Sequence, residues 1–240
     1  VAVSLAMTVG DASHFEMPQS LPTETSYVAQ YDETITIGYE ITNIGEVPLT
    51  RHDLVDSQLG GILNKSCFRH HPGASAFVLQ QATVTSDTLF SGTWTASVED
   101  ESQSATAMDA VSVSLAEPAV YLTMTVGDAS HFEMPQSLPT ATWYLATPGE
   151  TISIGYEIMN TGEAILTRHD IEDSVLGTIL NNFPFTLAPG ASAFIIQQAT
   201  VNDDTWFSAT WTCENDAATQ SAMGSDAVTV TIADGVHTAD

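Results

Sequence analysis

The seventeen residues MTVGDASHFEMPQSLPT run from Met7 to Thr23 and recur letter for letter from Met124 to Thr140, an offset of 117 positions. The same offset aligns Ala2 with Ala119 and Ala116 with Ala233 without a gap. It passes through IGYE (Ile37 and Ile154 onward), LTRHD (Leu49 and Leu166 onward), PGASAF (Pro72 and Pro189 onward) and TWT (Thr93 and Thr210 onward). Roughly 60% of aligned positions are identical, so the chain is a tandem duplication. Whatever fold it adopts must therefore close on its own core within one copy. A unit of this length lies at the low end of the usual domain size of about 100–150 residues. Two domains are expected, 1–117 and 118–240.

Within each copy the dominant pattern is alternation. VAVSLAMTV places Val1, Val3, Leu5, Met7 and Val9 on one face, ETITIGYEI does so with Ile35, Ile37, Tyr39 and Ile41, and AVSVSL with Val111, Val113 and Leu115. A period of two signals half-buried strands. Further strands are expected at 49–55, 76–84 and 89–97, separated by turn signals at NIGE, LGG, HPG and the Ser86-Asp87 pair. No long stretch follows a helical period. About seven short strands per unit predict an all-β fold of two tandem immunoglobulin-like β-sandwich domains.

The second copy carries the clearer text: GETISIGYEIMNTGEAILTRHDIEDSVLGTIL, then LAPGASAF, SATWT and DAVTVTI. This order resembles the Ig-like repeat domains of prokaryotic cell-surface proteins, including the cell-adhesion-related (CARDB-like) type. Those domains show a strand, an N-x-G turn, a strand ending in Asp, an L-x-P-G loop and a closing strand. Asn160 and Gly162 suit a tight hairpin, and Pro189-Gly190 presets a turn. The first copy departs at CFRHHPG, where Arg69, His70 and His71 stand for Thr186, Leu187 and Ala188, so a remodelled loop is expected there. The resemblance implies a surface module, a spacer or binder, and no particular ligand.

Charge narrows the partners. Thirty acidic residues face four basic ones, giving −26 overall, with −12 in residues 1–117 and −14 in 118–240. A field of that sign repels phosphate backbones and anionic headgroups, which argues against nucleic acid and membrane surfaces as partners. No apolar run approaches the roughly 18–20 residues of a membrane span. Charged residues make up only 14% of the chain while Thr, Ser and Ala abound, a composition common in secreted β-proteins. The sequence opens at Val1 with no charged-then-apolar leader, and an extracellular or cell-surface location is the expectation. Cys67 and Cys213 occupy non-corresponding positions, so neither unit can close an internal disulfide. The linker around Glu117-Pro118 is short, which predicts a stiff joint.

Several residues are candidates for chemistry. Asp53 with Asp56, and Asp170 with Asp173, could supply hard oxygen ligands to calcium, although no D-x-D-x-D-G loop occurs. No other cofactor is required. His14, His52, His131 and His169 recur with the repeat whereas His70, His71 and His237 do not, and none falls in a zinc-binding spacing. TRHD puts Arg51 beside Asp53 and Arg168 beside Asp170 on one strand face, as local ion pairs or as cations meeting another domain's acidic patch. Trp94 and Trp211 sit in an alternating strand and read as core. Trp143 and Trp206 replace Ser26 and Leu89 and could form an exposed aromatic platform for sugar. The repeated block, rich in Phe15, Met17, Leu21 and prolines, reads as a loop packed over a sheet. No G-x-S-x-G elbow or glycine-rich phosphate loop occurs, and the chain is expected not to be an enzyme.

These features predict a secreted structural protein, the repeating subunit of an extracellular filament or surface array, assembled with copies of itself or with neighbouring surface-protein domains. The expected assembly interface is Val1, Val3, Leu5, Met7 and Val9, donated as a strand, with Arg51 and Arg168. The alternative is an adhesin stalk or carbohydrate-binding module of a larger surface protein.

Overall fold

A computed structural model describes residues 1–233; His237 lies outside them. The chain is all-β and separates into two compact units, Val1–Ala116 and Glu117–Asp240. The first contains β1 (Val3–Asp11), β2 (Ser26–Ala29), β3 (Glu33–Asn43), β4 (Leu49–Asp56), β5 (Gly60–His70), β6 (Ser75–Val84), β7 (Thr88–Ser97) and β8 (Ser104–Leu115). The second repeats the series as β9 (Val120–Asp128), β10 (Trp143–Ala146), β11 (Glu150–Asn160), β12 (Leu166–Asp173), β13 (Gly177–Leu187), β14 (Ser192–Val201), β15 (Thr205–Glu214) and β16 (Ser221–Ile232). In each unit a three-stranded sheet (β1-β3-β6; β9-β11-β14) is paired with a five-stranded one (β2-β8-β7-β4-β5; β10-β16-β15-β12-β13). All pairings are antiparallel except the short β2–β8 and β10–β16 contacts, which are parallel.

The alternating positions explain the layers. Leu5, Met7 and Val9 of β1 and Ile35, Ile37, Tyr39 and Ile41 of β3 form one wall of the first core; Leu54, Phe90, Trp94, Val111 and Val113 form the other. The second core repeats this with Tyr156, Trp211 and Phe207 among its fully buried members. Side chains at every second position of a strand share a face, so the period in the sequence becomes a sheet with one apolar side.

The duplicated block covers the other side of the three-stranded sheet. A single 3-10 turn over Ala12–Phe15, entered through Asp11, folds the chain back across β1 and β3. Leu21 and Pro22 rest on Gly38, and His14 rests on Gly10. A Cβ added at Gly38 would lie 2.6 Å from Leu21 Cδ2, and one at Gly155 would lie 2.6 Å from Leu138 Cδ2, so glycine is required for this approach. Thr36 and Ser153, on the outward face, are fully buried as a result.

Two strands escape the sequence reading. β5 begins at Gly60, directly after the turn that LGG signals, and runs on into CFRH, where a remodelled loop was expected; its pairing with β4 slips at three places, and these bulges break the alternation. The change of Leu187 to His70 therefore falls on a strand end and leaves the backbone plan intact. β2 is four residues long and hides inside the long connection after β1.

Candidate functional site

The four carboxylates expected to hold calcium are not brought together. On β4 and β12, positions three apart point to opposite faces: Asp56 and Asp173 are buried, Asp53 and Asp170 are not. Asp56 Oδ2 accepts the Tyr39 hydroxyl at 3.0 Å while its Oδ1 accepts the N–H groups of Gln58 (2.8 Å) and Leu59 (3.1 Å). Asp173 repeats the arrangement with Tyr156, Val175 and Leu176. Burial and the adjacent carboxylate drive both tyrosine hydroxyls far above their ordinary pKa, so each remains a donor. Asp53 and Asp170 accept the N–H groups of Lys65 (2.8 Å) and Asn182 (2.7 Å), which shape the β5 and β13 bulges. Among the described residues no cluster of three or more His, Cys, Asp or Glu side chains converges on one point.

The expected donor strand is spent within its own unit. β1 pairs with β3 from Val3↔Asn43 to Asp11↔Ile35, and Leu5, Met7 and Val9 are buried in the unit's core; Val1 is exposed and lies before the strand. The other edge of β1 is also engaged, since Asp109 Oδ2 accepts the Met7 N–H at 2.7 Å and the Glu24 carbonyl accepts that of Val9 at 2.7 Å. Arg51 does not pair with Asp53: its Nη1 lies 2.9 Å from Glu101 Oε1, in the turn between β7 and β8. Arg168 Nη2 donates instead to the Asp216 carbonyl at 2.6 Å.

The recurring histidines divide by place. His14 and His131 lie in the covering loops against Ser20 and Ser137. His52 and His169 are buried, and burial lowers both imidazole pKa values. His52 stacks on Phe68 (ring centroids 3.8 Å) and lies nearly parallel to Trp94 (5.7 Å, 12°), with His70 tilted against both. His169 stacks on Phe185 (3.6 Å), but Trp211 stands edge-on to it at 86° and donates its Nε1–H to His169 Nδ1 at 3.3 Å. Trp94 and Trp211 are buried as expected of core residues.

A different surface gathers residues that the sequence scatters. Trp143 on β10 and Trp206 on β15 are both opposite Thr229 of the intervening strand β16, so the three side chains form one row across the outer face of the five-stranded sheet. The indoles are 54% and 65% exposed. Trp143 Nε1–H donates to Thr231 Oγ1 at 3.0 Å, which holds that ring across β16. Ser208, Thr210 and Ser225 continue the face, bordering a shallow depression. Thr229 and Thr231 were not singled out in the sequence, because only the strand order reveals that they separate the two tryptophans. In the first unit Ser26, Leu89 and Ser112 occupy the corresponding row.

No protein-family model and no curated protein matches the chain. Among solved structures it is similar to red sea bream transglutaminase at 10% identity and a TM-score of 0.32, over 96% of this chain and 31% of that one. It is also similar to a protein of unknown function from Porphyromonas gingivalis W83 at 14% identity and a TM-score of 0.28, over 94% of this chain and 98% of that one. The chain thus spans less than a third of the transglutaminase, and likenesses of this size carry no argument about activity.

Proposed function

We propose that the protein is a structural unit of the cell exterior, two immunoglobulin-like sandwiches in tandem, that assembles with copies of itself through sheet edges into a filament or surface array. The observation that carries this reading is the state of β6 and β14. Each ends its sheet, each is ten residues long, and neither contains a charged residue in a chain with 30 acidic ones. Exposed edges of this length are normally blunted by charge, proline or bulges. β5 and β13 follow that rule, with bulged pairing in both and Pro184 in β13. β6 does not: its register with β3 runs unbroken from Glu33↔Val84 to Thr42↔Ser75.

Such an edge offers unpaired backbone donors and acceptors to a second strand, and contacts between unlike edges propagate without closing. The immunoglobulin-like part of the reading is supported by two facing antiparallel sheets and the short parallel pairing of β2 with β8. The exterior location rests on the acidic, Thr- and Ser-rich composition. The test is sedimentation velocity with negative-stain microscopy of the intact chain and of a Phe77→Glu/Phe194→Glu variant, which adds a charge to each free edge at an exposed position. Polymers are expected from the intact chain and monomers with an unchanged circular dichroism spectrum from the variant. An intact chain that stays monomeric at high concentration, or a variant that polymerises equally well, refutes the reading.

A further inference from the structure

We propose that the outer face of β10, β16 and β15 is a binding platform for an uncharged glycan, carried by the second unit alone. Three observations select this ligand class. First, Trp143 and Trp206 flank Thr229 on adjacent strands, so their Cα atoms are separated by two strand spacings, about 10 Å. That separation lets the two indoles stack on different sugar rings of one oligosaccharide. Second, the surface between and beside the rings carries five hydroxyls, from Thr229, Thr231, Ser208, Thr210 and Ser225, interspersed with Ala227 and the exposed Leu145. A hydrocarbon partner would bury these groups unpaired, whereas a pyranose presents C–H bonds to the rings and hydroxyls to the threonines. Third, the net charge of −26 repels polyanions, which removes nucleic acids even though nucleobases also stack on tryptophan.

The Trp143–Thr231 hydrogen bond adds preorganisation, because a ring already held across the sheet loses little freedom when a ligand arrives. The first unit serves as an internal control. With Ser26 and Leu89 in place of the indoles, its matching surface is a shallow depression lined by Ser112, Ser114 and Val28; it has no tryptophan, and the one ring that borders it, Tyr27, is half-buried and tied through its hydroxyl to Glu33. This inference does not rest on the assembly reading.

The test is affinity electrophoresis of the full chain in gels containing xylan, mannan or soluble β-glucan, with pull-down on suspended cellulose and chitin. Retention by at least one of these is expected, with a change in tryptophan fluorescence on binding. Trp143→Ala and Trp206→Ala should each weaken retention about tenfold, and the double variant should abolish it while its circular dichroism stays unchanged, since both rings are on the surface. Thr231→Val, which frees the Trp143 ring, should weaken retention by less. Placing Ser26→Trp and Leu89→Trp in the double variant should restore part of it from the first unit. The proposal is overturned if no polysaccharide is retained, if the double variant is retained as strongly as the intact chain, or if loss of the rings alters sedimentation and leaves retention unchanged, which would make the face a contact between copies.

Discussion

The two units share one backbone plan, yet they satisfy the same buried histidine in different ways. In the second, His169 Nε2 lies 3.1 Å from the Phe185 carbonyl, so Nε2 carries the proton and Nδ1 is free to accept from the Trp211 indole. In the first, His52 makes the equivalent bond to the Phe68 carbonyl, but Trp94 lies flat against it and cannot donate. His52 Nδ1, His70 Nδ1 and Trp94 Nε1 are all buried with no hydrogen-bond partner among the described residues. The position that separates the two cases is His70, which stands where the second unit has Leu187 and fills the space beside the indole. A polar group added to a packed core is tolerable only if its own bonds and its neighbours' bonds can all be made. By this argument the first unit is the less stable of the two.

The largest effect that can break this comparison comes from removing the indoles. Trp94→Ala and Trp211→Ala should each cost about 3–5 kcal/mol. The second should cost more, because it also strands His169 Nδ1 whereas the first deletes a group already unpaired. Calorimetry of the two variants, following which transition moves, checks this; equal losses would mean that the indole–imidazole bond contributes nothing.

A smaller effect sharpens the role of His70. His70→Leu should stabilise the first unit by about 1–2 kcal/mol, and Leu187→His should destabilise the second by a similar amount. The pH dependence has a definite sign. Burial holds the folded pKa of His52 and His169 below the ordinary 6.5, so the unfolded chain takes up the proton first as pH falls. Their contribution to stability is complete above about pH 6.5 and is lost as pH drops from there through the folded pKa. The charge of His70 pushes His52 lower still, so His70→Leu should soften the acid loss in the first unit. Thermal melts at pH 7.5 and 5.5 measure it; an unchanged difference between the two pH values would contradict the coupling.

The smallest effect belongs to the surface. Arg51 and Glu101 are 39% and 57% exposed, and Arg51→Ala should cost no more than about 1 kcal/mol, falling further in salt. Arg168, which donates to a carbonyl, should show less dependence on salt when replaced.

The legible part of this molecule was whatever depended on a short period. Alternation located β1, β3, β4, β6, β7 and β8 because each has one face in a core, and Trp94 and Trp211 fell on that face. β5 was lost because its bulges scramble the period, and β2 because four residues are too few to display one. The paired aspartates misled through proximity: neighbours three apart on a strand face opposite ways. Arg51 found its partner in Glu101, in a turn that the sheet order alone brings near. The row Trp143–Thr229–Trp206 depends on a parallel pairing and an antiparallel one meeting at the same residue, information that resides in no local stretch of sequence.

The contact of Leu21 and Pro22 with Gly38 has a consequence for the tempo of the molecule. β3 is hydrogen-bonded on both edges, by β1 and β6, and from Ile35 to Tyr39 every residue is buried, the inward side chains by the core and the outward ones by the loop. β11 is enclosed in the same way. Water reaches their amides only when sheet and loop open together, so proton exchange with solvent is slowest along these two strands, and each unit has its most persistent element at the centre of its smaller sheet.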